Sequence, residues 1–250
     1  YALTLGQAIA EANPAVSEAF RQWRDADTLS AERESPLERN AGLKQLVVEE
    51  TPWLAASNEE KENRRRLADL LDPTRTSLTR YSALDRLAAL QNADGSWSWF
   101  KGMTGSTSVT TDVAMMLARL QALAPDDRAA ILLNRAGHFL DRAMAYETAG
   151  LRKQKRPDLS SNAVRYLYID ALTGRSLNGT VADNAEYLKK LLRQPGMGNT
   201  LTDKALVAST LSLLGETDAA RERVKSLEER LVERPGMGWM FDAAPQSAVI

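Results

Sequence analysis

Apolar residues recur at helical spacing along most of this chain, and the alternation expected of strands is nearly absent. The pattern predicts helices over Leu3–Ala12 and Ala15–Arg24, separated by Asn13-Pro14, and another over Leu37–Glu49, ended at Glu50-Thr51-Pro52-Trp53. Ser57-Asn58-Glu59-Glu60 reads as a capping box for a fourth, which Asp72-Pro73 stops. From Leu78 the rhythm becomes regular, with helices expected at about 78–91, 110–123, 126–145, 160–173, 180–193, 202–214 and 216–233. Thr110 or Thr111, Asp126, Ser160 or Ser161, Thr180, Thr200 and Thr217 lie where N-caps belong, and Gly174 and Gly215 where C′ glycines belong.

These later helices alternate in character. VAMMLARLQAL, AVRYLYIDAL and ALVASTLSLL are apolar over much of their circumference, whereas 126–145 and 216–233 carry a narrower stripe. A helix apolar nearly all round is buried and a singly striped one is peripheral. The expected fold is therefore all-α: an α/α toroid, complete or incomplete, with inner and outer rings of antiparallel helices. One domain over 1–250 is expected, with less regular helices over 1–75 and helical-hairpin repeats over 78–250.

The joints between helices also repeat. LLRQPGMGNT and LVERPGMGWM place Gly196 and Gly236 forty residues apart, about one helix pair, each after a helix on the outer ring. LQNADGSWSWF occupies the corresponding place after helix 78–91. The expected joint residues are Gln91, Gly95, Trp97, Gly196, Gly236 and Trp239: glycines for left-handed turns, indoles to pack on helix ends, and a glutamine to satisfy free backbone groups. Trp97 and Trp99, two residues apart, should point the same way if their segment is extended. With Trp239 and the methionines Met103, Met115, Met116, Met197 and Met237 they are read as packing.

Composition narrows the chemistry. The 250 residues are 44% hydrophobic and 26% charged with a net charge of −1, which disfavours nucleic acid or an anionic membrane as the main partner. No apolar run is long enough to span a bilayer, so no direct membrane insertion is expected. Without cysteine there is no disulfide, thiolate zinc site, thiol nucleophile or thioester within these residues. The single histidine, His138, lies mid-helix with no nucleophile to serve and reads as a surface or packed residue; no metal or cofactor is expected. Arg64, Arg65 and Arg66 stand among interleaved acids, as on a solvated helix face. Asp94, Asp112 and Asp170 are the nearest candidates for a glycosidase acid pair, with Asp170 conspicuous in an apolar helix near Arg165.

Gln91…Gly95-Ser96-Trp97 resembles the Q-x(n)-G-x-W motif of the terpenoid cyclase and protein prenyltransferase α/α toroids, where it is structural. The DxDD cluster of squalene-type cyclases is missing, and a prenyltransferase Asp/Cys/His zinc site is impossible without cysteine. VEETPWLAASNEEKENRRRLADLLD followed by LQNADGSWSWFKGM resembles the thioester-domain region of bacterial α2-macroglobulin-family proteins with an MG2 domain. The likeness extends from NPAV…FRQW to ERPGMGWM. It implies a non-catalytic helical domain, excised from a larger multidomain protein of the periplasm or cell envelope that inhibits or traps proteases. Its partners would be the other domains of the parent chain and the target proteases. The family's Pro-Tyr-Gly-Cys-x-Glu-Gln thioester motif would fall before Tyr1, so none of its residues maps onto this sequence. A carbohydrate-active enzyme and a pure protein-interaction module are the alternatives.

Overall fold

The computed structural model describes residues 73–229 except Asn199, the strand residues 231–234 and 237–240, scattered positions between Thr4 and Gln22, and Asn63 and Arg66. Among these the protein is all-α in class, with one two-stranded hairpin. The helices are α1 (Pro73–Leu90), α2 (Thr107–Leu123), α3 (Asp127–Leu151), α4 (Ser161–Thr173), α5 (Gly179–Leu192), α6 (Leu201–Leu213) and α7 (Thr217–Glu228). The chain divides into two compact units, Tyr1–Arg86 and Leu87–Ile250, with the boundary inside α1.

In the first unit the described residues from Thr4 to Gln22 are helical except Asn13, and Glu18 accepts hydrogen bonds from Arg21 and Gln22. Pro73 is the first residue of α1, where its missing N–H costs nothing. The expected capping box at Ser57, the helix over 37–49, Trp53, Arg64 and Arg65 lie outside the described residues.

In the second unit α2, α4 and α6 pack side by side in that order. Helix α3 lies against α2, α7 against α6, and α5 against both α3 and α4. Burial follows the same division. Helix α6 buries seven of its thirteen residues, while α7 buries only Ala220 and Leu227. Helix α3 sinks a narrow stripe through Leu132, Ala136, Leu140 and Met144. The core is thus made largely by Leu117, Val164, Leu167, Val207 and Leu211 of the three central helices.

Local chemistry sets the helix ends. The side chains of Ser106, Asp126, Ser160 and Thr200 accept amides of the first turn of α2, α3, α4 and α6. Thr110 and Thr111 are therefore not caps: Ser106 starts α2 a turn earlier, and both threonines are buried within it. Gly174 ends α4 in the left-handed conformation. After α6, the N–H of Gly215 bonds to Ser212 O and that of Glu216 to Leu211 O, which closes a Schellman motif.

The C-terminal repeat departs from expectation. The helix expected over 216–233 stops at Glu228, and Leu231–Arg234 (β1) pairs antiparallel with Met237–Met240 (β2). The two Pro-Gly-Met-Gly sequences therefore differ in fold. After the first, Thr200 caps α6 by accepting the Asp203 N–H. The second is followed by Trp239-Met240, which offers no cap, and Trp239 is in register with Val232 in the ladder, two residue types that favour strands.

Candidate functional site

The joint after α1 is built from the hydrogen bonds that helix ends leave open. The Gln91 N–H bonds to Ala88 O, which leaves Leu87 O without its helical donor. The Trp97 indole Nε1–H fills that place at 3.0 Å. The Gln91 side-chain amide donates to both Gly95 O and Leu132 O, each at 3.0 Å, and so ties the turn to α3; its Oε1 is buried without a donor. Asn92 N–H to Ser96 O and Gly95 N–H to Asn92 O close the turn. Asp94 accepts the Ser96 hydroxyl at 2.6 Å, and this bond is the main reason its carboxyl is held below the ordinary range.

Two features make the joint specific. Gly95 has φ +90°, and a Cβ there would stand 2.1 Å from Arg135 O on α3. Trp97 is 3% exposed, its N–H donating to the Thr110 hydroxyl and its carbonyl accepting the Ser106 N–H. Trp99 does not share its direction: it is 71% exposed. The alternation expected of an extended segment fails because the chain turns at once, with Ser98 Oγ donating to Phe100 O and the Met103 N–H bonding to the same carbonyl.

The other expected joint residues separate. Gly196 has φ +86° in open space, so its backbone alone calls for glycine. Gly198, which the sequence pattern did not single out, is the one under close approach: it has φ +103°, and a Cβ there would stand 3.0 Å from Lys204 N. Gly236 lies outside the described residues, and of Trp239 only the strand backbone is described.

The carboxylates expected to serve a hydrolase have separate partners. Asp94 belongs to the turn, and Asp112 on α2 pairs with Arg165 on α4 at 3.5 Å. Asp170 is 6% exposed and faces Arg175 and Lys189 at 3.8 and 3.7 Å, not Arg165. Burial pushes its carboxyl above the usual range against the pull of those two cations. Arg175 grips Asp141 of α3 with both terminal nitrogens, at 3.0 and 2.6 Å. The Tyr166 hydroxyl also donates to Asp141, and burial followed by that carboxylate raises its pKa. Sequence spacing alone could not supply Asp141 and Arg175, since the pair joins residues 34 positions apart.

Beside this cluster, a cavity of about 370 Å³ opens between α2, α3 and α4. Its walls are mostly small and apolar, among them Ala114, Ala118 and Gly137, with Tyr166 and Arg175 the polar groups nearest the cluster. Arg175 fits there because Gly137 has no side chain; a Cβ would stand 2.6 Å from its Nη1. With Asp141 and Asp170 beside Arg175 and Lys189, acids and cations balance. The arrangement can clamp three helices and accept a small apolar group. His138 is exposed on α3. Among the described residues no group of three or more histidine or acidic side chains is placed to hold a metal.

Compared with known protein families and with curated proteins, the chain matches none.

Proposed function

We propose that this chain is a non-catalytic helical domain of an α2-macroglobulin-like protein that restrains proteases at the cell envelope. The observation that carries the reading is the Gln91–Gly95–Trp97 joint. The residues of the toroid motif are engaged in structural hydrogen bonds: the glutamine amide on two backbone carbonyls and the indole on a third. The central row α2–α4–α6, with α3, α5 and α7 beside it, is the arrangement that successive hairpins of an α/α toroid would give. The resemblance of Glu49–Trp53 and Leu90–Met103 to the thioester-domain region supplies the parent protein.

In this reading the packed helices α2–α7 of the second unit act as a rigid body. A protease cutting elsewhere in the parent chain changes how the domain packs, and the parent then encloses the protease. The domain's partners are the parent's other domains, and its location is the periplasm or envelope. The hydrolase alternative is weakened by the separate engagement of Asp94, Asp112 and Asp170.

The test uses the full-length parent chain and a protease assayed in parallel on a folded protein and on a small chromogenic peptide. Trapping slows cleavage of the protein while leaving the peptide untouched. Equal rates with and without the parent chain on both substrates would remove the proposal.

A further inference from the structure

Two residues beyond the buried Trp97 the chain presents an apolar tip. Trp99 is 71%, Phe100 72% and Met103 52% exposed. The tip is ordered: the Met103 N–H closes a turn on Phe100 O, with Gly102 at φ +87° in the third position, where a type II turn requires a positive φ. It is also fixed at its foot, where a Cβ on Gly105 would stand 2.0 Å from Ser96 Oγ and 3.4 Å from the Phe139 ring. Three large apolar side chains held in solvent on a rigid loop mark a surface that meets something.

Charge identifies what. No acid occurs between Asp94 and Asp112, and Lys101 sits in the turn itself. Arg135 and Arg142 of α3 donate to Asn92 O and Asp94 O at the loop's foot. These two arginines belong to one exposed face of α3, repeating at helical spacing through Ile131, Arg135, His138, Arg142 and Tyr146. The acids beside it are Asp127, one turn before Ile131, and Asp94 at the loop's foot, fewer than the cations Lys101, Arg135 and Arg142. The net charge of −1 for the whole chain therefore conceals a local cationic surface. Aromatic and aliphatic groups beside lysine and arginine are the composition of helices and loops that lie in the interface of an anionic bilayer.

We propose that the Trp99–Met103 loop and this α3 face form a peripheral docking site for an anionic phospholipid bilayer. Trp99 and Phe100 enter the headgroup–acyl boundary, while Lys101, Arg135 and Arg142 meet lipid phosphates. The contact is interfacial; among the described residues no helix is long and apolar enough to cross a membrane. The site does not depend on protease restraint, and each can fail alone.

The test is co-sedimentation of the full chain with vesicles of phosphatidylcholine alone and of phosphatidylcholine with phosphatidylglycerol. The chain partitions onto the anionic vesicles, less so as salt rises, and a Trp99→Ser/Phe100→Ser variant partitions at least about ten-fold more weakly. Both substituted side chains are exposed, so an unchanged circular dichroism spectrum confirms that the variant is folded. Absence of partitioning at low salt, or equal partitioning of the variant, overturns the proposal. A loop that serves a protein partner instead gives one of those two results.

Discussion

Gly95 and Gly196 share a left-handed backbone and differ in their surroundings. A methyl at Gly95 collides with the α3 backbone at Arg135 O, whereas at Gly196 it enters open space. Gly95→Ala should cost at least about 3 kcal/mol, combining strain with displacement of α3, and Gly196→Ala only about 1 kcal/mol of strain. Urea titration of the two variants measures the difference. Trp97→Phe keeps most of the buried ring but leaves Leu87 O without its donor. It should cost about 1–2 kcal/mol by the same titration. Gln91, Gly95 and Trp97 were legible in the sequence because a helix end, a turn and a buried indole need those residue types in that order. Trp99 was not, because its direction depends on a turn that begins one residue after Trp97. Gly198 was missed for a similar reason: its close neighbour is on the next helix, where no local pattern records it.

At the scale of elements, Asp141, Arg175, Asp170 and Lys189 clamp α3, the α4–α5 connection, α4 and α5. Their acids carry different weights. Asp141→Asn leaves Arg175 the Tyr166 hydroxyl at 3.3 Å and a single carboxylate, Asp170 at 3.8 Å, and should cost about 3 kcal/mol. Asp170→Asn leaves Arg175 on Asp141 and Lys189 on Glu186, so its cost at neutral pH should stay below about 1 kcal/mol or reverse sign. The pH dependence separates the two further. Because the Asp170 carboxyl is raised in the folded protein, the native state holds a proton that the unfolded state has released. Its contribution to stability is thus present in acid and lost as pH rises through the interval above the ordinary carboxylate value of about 4. Thermal denaturation of Asp170→Asn across that interval should lack this decline.

The helices from 78 onward were legible because caps and apolar faces agree along them. The C-terminal end was not. RERVKSLEER continues helical spacing into Leu231 and Val232, and only pairing with Met237–Met240 draws those residues into a strand. Such pairing is tertiary information that a local periodicity does not contain.

For the molecule as a whole, composition excluded thiol chemistry, and the broad apolar faces anticipated the side-by-side packing of α2, α4 and α6. It did not anticipate the segregation of charge, because a net charge of −1 averages over every surface. The cationic stretch of α3 from Ile131 to Tyr146 emerges only when residues are placed on a helix beside the loop they support. The candidate site was legible in part for a related reason. Motif residues close in sequence can be read from it, but the partners of Asp170, Arg175 and Lys189, come from the α4–α5 connection and from α5.

On the proposed function, helices α2–α7 move as one rigid body when a protease cuts the parent protein. Hydrogen exchange on the full-length parent chain, before and after a single cut, tests it most directly. Unchanged protection of the amides in α2, α4 and α6, with altered protection in the parent segments packed around them, is the expected result. Loss of protection within those three helices, or no change anywhere in the parent chain, would contradict it.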